Sequence, residues 1–493
     1  MFKSKKNQKR LCRILAFGIF ALYYLLLSLA CTSPPPAPAA ATALKPAPKP
    51  APVSPKADVF TERVYAKLAA GDIEGALGLF DALPAEEAQK SNVLLMKAAI
   101  LFSAQRLKEA RDTIAKVLES SADKNDTIEA QFVLSNIEGL EGQPKAQKAL
   151  LDTILKTDPK FIPALNKLGS LALNNNQYKA AAGYFDSVLK IQPQNMDALV
   201  GRAGVYRFER KPKEAVRCLN EAIAAYPEAA EPLAQRGRVY REMGEYNKSL
   251  ADLDNAKKLD GSDYWIAYDR ARTLLALDSK KEALNEFERA EKLNPQIFVS
   301  YVYSAGIRDD MEDYKNAMHD YERLVKINPD YYFGFEMLGA HYMREKRYAD
   351  ARDAFKSAYA RAPEDYNYAL LAVVNGLYAG DKQALYKPYI EEILRKIDKS
   401  SPYTYMLRLF YDFSGDSETV RKINSEKNNE VRARNLFYLA NYYMSRGLES
   451  LAEKVFDEFK ELKTKNLLEW RIYEWAVETG TLKTATRTAQ RNS

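Results

Sequence analysis

The sequence predicts an all-α superhelical solenoid of about twelve stacked helix pairs, some of them degenerate. Three columns of residues on a single 34-residue phase carry that prediction. Pro159, Pro193, Pro227, Pro295, Pro329 and Pro363 share the phase, with Gly261 in the one gap. Thirteen prolines lie beyond residue 56, so chance would put fewer than one on any given phase, and six fall on this one. A small residue recurs at Ser135, Gly169, Ala203, Gly237, Ala271, Ala305 and Gly339. An alanine column, Ala181, Ala215, Ala283, Ala317 and Ala351 with Ser249 in line, is followed four residues later by Phe185, Leu219, Leu253, Phe287, Tyr321 and Phe355.

Each column has a physical cause. Two antiparallel helices that approach closely need a small side chain at the contact, and a larger one there overpacks the core. The large apolar residue fills the hole left opposite. Proline past the second helix stops it before the next pair begins. A single pair cannot bury its own apolar face, so the pairs must stack.

The columns resemble those of the tetratricopeptide repeat. Leu199, Ala203, Tyr206, Ala215, Leu219, Ala222 and Pro227 make one copy, and Leu338, Gly339, Tyr342, Ala351, Phe355, Ala358 and Pro363 the cleanest. Tyrosines three before the alanine column, Tyr178, Tyr246, Tyr314 and Tyr348, keep the same phase. The array covers 57–365 in nine units and is firm over 128–365, with a three-residue insertion near 125–127. From 366 to 432 the columns nearly vanish, although the length is almost two periods of degenerate helix pairs. A last unit returns with Leu439, Ala440, Tyr443, Ala452 and Phe456, closed by a helix over 467–479 that covers it with Trp470 and Trp475. Residues 433–479 are thus the last repeat and its cap, and 480–493 a polar tail.

The N-terminus is of a different kind. Of the net charge of +7, six charges sit in the first thirteen residues, on Lys3, Lys5, Lys6, Lys9, Arg10 and Arg13, leaving +1 for the rest. The body therefore lacks the basic surplus of a nucleic-acid-binding domain. Residues 14–30 carry no charge, and the order basic start, apolar middle, small residue at the cut is that of a secretory signal. The close on Leu27-Ser28-Leu29-Ala30-Cys31 resembles the lipobox of bacterial lipoproteins. That resemblance implies a signal peptide over 1–30 and diacylation (palmitate-type lipid) of Cys31, which becomes the mature N-terminus. Thr32, where an Asp would favour the inner membrane, implies the outer membrane. Ser28 departs from the aliphatic residue the pattern prefers, so two other readings stay open: plain cleavage, and retention of 14–30 as an uncleaved anchor. Residues 31–56 are the lipidated cysteine and a Pro/Ala-rich linker, with nine of the chain's 22 prolines. Extended polyproline there reaches on the order of 75 Å.

Two histidines and three cysteines exclude a histidine-rich metal site, a four-cysteine zinc site and a disulfide framework. Gly-rich phosphate loops and nucleophile elbows are absent from the sequence, and repeats fill nearly everything after the linker. His319 and His341 read as helix-surface histidines rather than bases, and Cys218 as a partly buried free thiol. The acids of the degenerate stretch, Glu391, Glu392, Asp412, Asp416 and Glu418, show no tuning partner. No catalysis, cofactor, metal or nucleic acid is expected.

Binding is what remains. In the repeat family the first helix of each pair lines a groove that holds peptides or partner helices. That register gives a lining of Arg207, Phe208, Arg238, Arg241, Trp265, Tyr268 and Arg272, whose guanidiniums and rings suit a peptide bearing carboxylates. Asp309 and Asp310 turn the lining acidic, and Phe333, Glu336 and Arg344 mix it. The Lys-Asn-Asn-Lys-Arg clamp of chaperone-binding members is not present in this register. The competing reading makes the same residues solvated helix positions paired with neighbouring acids. Together these features lead to a scaffold or adaptor lipoprotein of the cell envelope that binds other proteins. The alternative is a surface-displayed adhesin that binds host macromolecules with the same solenoid.

Overall fold

A computed structural model describes residues 59–482; the signal segment, Cys31, the proline linker and the end of the tail lie outside the described residues. Among the described residues there are 26 helices and no strand, stacked as a tetratricopeptide-type solenoid. They fall into two compact units, 59–277 and 278–482. No helix among them is long and apolar enough to cross a membrane.

The first unit runs through α1 (Val59–Ala69), α2 (Ile73–Asp81), the single turn α3 (Ala85–Ala88), α4 (Ser91–Ser103), α5 (Leu107–Ser120), α6 (Lys124–Leu140) and α7 (Pro144–Thr157). It continues with α8 (Ile162–Asn174), α9 (Tyr178–Ile191), α10 (Met196–Phe208), α11 (Pro212–Ala225), α12 (Ala230–Glu242), α13 (Tyr246–Leu259) and α14 (Tyr264–Ala276). The regular pairs join a first helix of 13 residues to a second of 14. The insertion near 125–127 is absorbed as an extra turn: α6 has 17 residues and starts on Asp123, whose carboxylate accepts from the backbone N–H groups of Asn125 and Asp126.

The spacing of the helices follows from the small column. A Cβ on Gly169 would stand 2.7 Å from Phe185, and one on Gly237 2.9 Å from Leu253. Phe185, Leu219 and Leu253 are buried completely or nearly so beneath those positions. Second helices stop two residues before the proline column: α7 at Thr157 before Pro159, α9 at Ile191 before Pro193, α11 at Ala225 before Pro227.

A further 34-residue column appears in the backbone. Asn176, Arg210, Gly244, Asp278, Glu312, Lys346 and Gly380 all adopt a left-handed conformation, with φ from 58° to 83°. Each sits between the two helices of a pair. The turn lets the third N–H past the first helix reach back five residues, as Lys211 N to Tyr206 O at 2.8 Å and Glu245 N to Tyr240 O at 2.9 Å. The exposed carbonyls at the helix end are thereby satisfied.

The second unit begins with α15 (Lys280–Leu293), α16 (Phe298–Asp310), α17 (Tyr314–Ile327), α18 (Tyr332–Arg344) and α19 (Tyr348–Arg361), all regular. It goes on with α20 (Tyr366–Tyr378), α21 (Gln383–Lys396), α22 (Thr404–Asp412), α23 (Asp416–Ser425), α24 (Asn429–Ser445), α25 (Glu449–Glu461) and α26 (Leu468–Glu478). The region where the columns fade is helical, and its composition explains the fading. Every residue of α20 from Asn367 to Gly376 is buried, because α24 packs on it as well as α19. A helix covered on all sides has no polar face and so no amphipathic column to read. Next to it, α21 contains Pro388, and α22 and α23 have only nine and ten residues.

Most residues of the left-handed column are not glycine and hold a conformation that L-residues disfavour. Arg210→Gly and Lys346→Gly should each raise stability by about 0.5 kcal/mol, and Gly244→Ala should lower it by about 1 kcal/mol. Thermal unfolding of the three variants checks the opposite signs.

Candidate functional site

The first helices α10, α12 and α14 pack side by side in the first unit. Arg207 and Phe208 end α10, Arg238 and Arg241 occupy the second half of α12, and Trp265, Tyr268 and Arg272 lie on α14. One residue that the sequence reading passed over organises them. Asp269, 2% exposed, stands on α14 between the arginines. Arg238 donates to its Oδ2 from Nε at 2.9 Å and from Nη2 at 2.5 Å, and Arg241 Nη2 donates to Oδ1 at 3.2 Å. Burial alone would push the Asp269 carboxyl up. Arg238 and then Arg241 outweigh that and hold it below the ordinary carboxylate value.

Guanidinium groups are concentrated here. Burial is the first cause that lowers the Arg207 and Arg241 guanidiniums from their ordinary value, and repulsion by two neighbouring arginines adds to it in each case. The attractive groups acting on both are Glu242 and Asp269. Arg207 reaches Glu242 only at 3.7 Å, and the buried Nε of Arg241 has no hydrogen-bond partner. All stay protonated, since a guanidinium does not titrate near neutrality.

The aromatic residues flank this cluster and do not interleave with it. Phe208, 38% exposed, stacks on Tyr178 at 5.3 Å, with the Arg207 guanidinium 4.8 Å from its ring centre. Trp265 sits in the first turn of α14, edge-on to Tyr264 and Tyr268, where Asp263 caps the helix by accepting from the Trp265 N–H at 2.6 Å. Tyr268 is buried, and the Arg272 guanidinium lies 5.7 Å from its ring centre. Phe208 and Trp265 are therefore the rings of the predicted set with open surface, and Tyr268 supports Arg272 from beneath.

A second set of arginines on the same helices marks the contrast. Arg202, Arg236 and Arg270 are 34 residues apart, and each pairs with an acid sixteen residues away on a second helix: Asp186, Asp252 and Asp254. Arg236 is bidentate on Asp252, with both bonds at 2.7 Å. Those pairs tie the two layers of helices together. The arginines around Asp269 instead pair along the first-helix layer. In the sequence Asp269 is only an acid one turn before Arg272, in a column held elsewhere by Gly201 and Gln235, and nothing there marks it as the organiser.

The remaining chemistry-bearing residues are placed as follows. Cys218 is a buried thiol, raised by that burial. His319 is exposed. His341 is not a surface histidine: it is 1% exposed, 2.9 Å from Asp309 Oδ1 and 5.0 Å from the centre of the Trp475 ring. The reason is that α26 does more than cover the last repeat, as was expected of it; it also reaches α16 and α18. Asp310 pairs with Lys280, and Glu391 and Glu392 make exposed pairs four residues along their own helix with Arg395 and Lys396. No cluster of three or more His, Cys, Asp or Glu able to hold a metal occurs among the described residues.

The tetratricopeptide repeat family model matches residues 166–230 and 307–379, and the chain carries such repeats. No curated protein matches the chain. Among solved structures, MamA is 22% identical over 34% of this chain and 97% of its own, with a TM-score of 0.31. The Pseudomonas aeruginosa protein pilF is 19% identical over 42% of this chain and 94% of its own, with a TM-score of 0.37. The Cut9–Hcn1 hetero-tetramer of the APC/C gives 16% identity over 64% and 62%, with a TM-score of 0.44.

Asp269→Asn leaves Arg238 and Arg241 buried without their counter-charge and should cost about 3 kcal/mol at pH 7. The folded carboxyl is lowered, so its contribution is present above the ordinary carboxylate range and fades as pH falls through the folded value. Urea unfolding of wild type and variant should therefore differ most near neutrality and converge in strong acid.

Proposed function

We propose that this tetratricopeptide-repeat chain is a non-catalytic scaffold of the bacterial cell envelope, lipid-anchored through Cys31, that recruits partner proteins through the arginine-rich face of α10, α12 and α14. The observation that carries the recruitment reading is the clustering of guanidiniums around Asp269, with the buried Nε of Arg241 left without a hydrogen-bond partner. Repeats of this family serve in general as protein-interaction modules. Within that general role, a cluster of guanidiniums selects for carboxylates. A carboxylate arriving beside Arg207 and Arg241 relieves the repulsion between them and replaces the loose contact to Glu242. Phe208 and Trp265, on either side, offer open rings to apolar side chains of the same peptide.

The site does the work of recognition with no chemical step. Asp269 holds Arg238 and Arg241 in fixed rotamers, so little side-chain entropy is lost when a ligand arrives. Electrostatic attraction at a cluster of this kind mainly raises the association rate and decays with ionic strength. The anchor reading is supported by the basic, apolar and Ala30-Cys31 order of the first 31 residues, and the proline linker supplies the distance between lipid and body.

Two measurements test the two halves. Acidic peptides should bind the purified body, and Arg207→Glu should weaken them about tenfold while leaving thermal unfolding nearly unchanged. An unaltered affinity removes the cluster from the binding surface. In cells, labelled palmitate should enter the wild-type protein and not Cys31→Ser; label in both, or in neither, rejects the lipid anchor. Protease added to intact cells then separates the two envelope readings: protection supports a periplasmic scaffold, and digestion of the body supports the adhesin.

A further inference from the structure

The last helix, α26, makes contacts on two opposite faces. Glu469, Trp470, Ile472 and Tyr473 form one, facing the last repeat. Trp470 meets Phe459 at 5.3 Å, Tyr473 meets Phe456 at 5.3 Å, and Tyr438 donates to Glu469 Oε1 at 2.6 Å. Arg471, Trp475 and Glu478, spaced i, i+4 and i+7, form the other. They meet the first-helix wall of α16 and α18 and the start of α17. Trp475 packs edge-on to Tyr314 at 5.2 Å and lies 5.0 Å from His341. Arg344 stacks 4.0 Å over Tyr314 and donates to Glu478 Oε1 at 3.2 Å. Arg471 comes to 3.6 Å from Asp309 Oδ2.

This is the arrangement of an amphipathic helix laid in a groove. Its groove face fits incompletely. Asp309 Oδ1, His341 Nε2 and Arg344 Nε are buried without hydrogen-bond partners. His341 Nε2 and Asp309 Oδ1 lie 2.9 Å apart but are not aligned to bond. Both side chains are at most 5% exposed. Buried polar atoms left unpaired are costly, so a helix that satisfied them would hold the groove more tightly than α26 does. The outer contacts of α26 are also loose: Glu478 is half exposed, and Arg471 sits at ion-pair rather than hydrogen-bond distance from Asp309.

We propose that α16 and α18 form a docking groove for a partner helix carrying a basic, an aromatic and an acidic residue at i, i+4 and i+7, and that α26 is a tethered ligand which occupies the groove until such a helix displaces it. The groove uses none of the arginine-cluster residues, so either reading stands if the other fails. A peptide of residues 465–482, labelled at its N-terminus, serves as the probe.

Trp475→Ala with Arg471→Ala weakens the groove face of α26 in the full chain and keeps Trp470, Ile472 and Tyr473. The labelled peptide should bind this variant about tenfold more tightly than it binds wild type, and adding Arg344→Glu should abolish the gain. Equal affinity for wild type and variant overturns the proposal, as does binding to neither. Should circular dichroism show that the variant loses helix, the unmodified chain carries the test. Millimolar peptide should then speed amide hydrogen exchange in 468–478 about fivefold without exposing 298–310 or 332–344. Exchange in 468–478 that is indifferent to the peptide overturns the proposal.

Discussion

The distance between the two helices of each pair sets the rest of this structure. It is fixed where a residue no larger than alanine faces a large apolar one, as Gly169 faces Phe185 and Gly339 faces Phe355. Backbones brought that close bury the facing side chains completely, and the residual apolar face of each pair is then covered by the next. The left-handed turn and the proline column keep each pair to one length, so the contact recurs at one height on every first helix. Because the height recurs, side chains 34 residues apart, or one to two turns short of that, become neighbours on adjacent helices. Arg238 reaches Asp269 over 31 residues and Arg241 over 28 for this reason.

The same geometry sorts the charges. An arginine pointing between the layers finds an acid sixteen residues away and is used up in the framework, as Arg236 is on Asp252. An arginine pointing along the first-helix layer finds only what the neighbouring first helices carry. Around Asp269 those helices set two guanidiniums and two carboxylates against each of Arg207 and Arg241. A framework this repetitive leaves few degrees of freedom for function, and the choice of residues on the first-helix layer is the main one.

The regular part of the fold was legible because a repeated contact writes the same residue types at the same interval. The alanine, large apolar and proline columns gave the pairs and their ends. The left-handed column was missed, since Asn176, Arg210, Glu312 and Lys346 share a backbone conformation and no side-chain chemistry; only Gly142, Gly244 and Gly380 hinted at it. Much of the arginine face was legible by register. Its organiser was not, because a lone Asp269 looks like any surface acid until its neighbours on α12 are in place. Likewise His341 looked exposed because Trp475, on the helix that buries it, comes more than 130 residues later in the chain.

Helix α20 touches α24 as well as its own neighbours, and α18 touches α26. In the 59–277 unit the principal helix contacts run within a pair or to the pairs before and after it. These two wirings differ in how they tolerate change over generations. Where contacts are strictly local, a 34-residue unit gained or lost leaves every remaining interface intact, and the array is free to vary in length. Where helices two pairs apart are in contact, any gain or loss between them breaks an interface that no duplication restores. The number of repeats in 278–482 is therefore locked by its own core, and lineages of this protein should differ in length on the other side of residue 277.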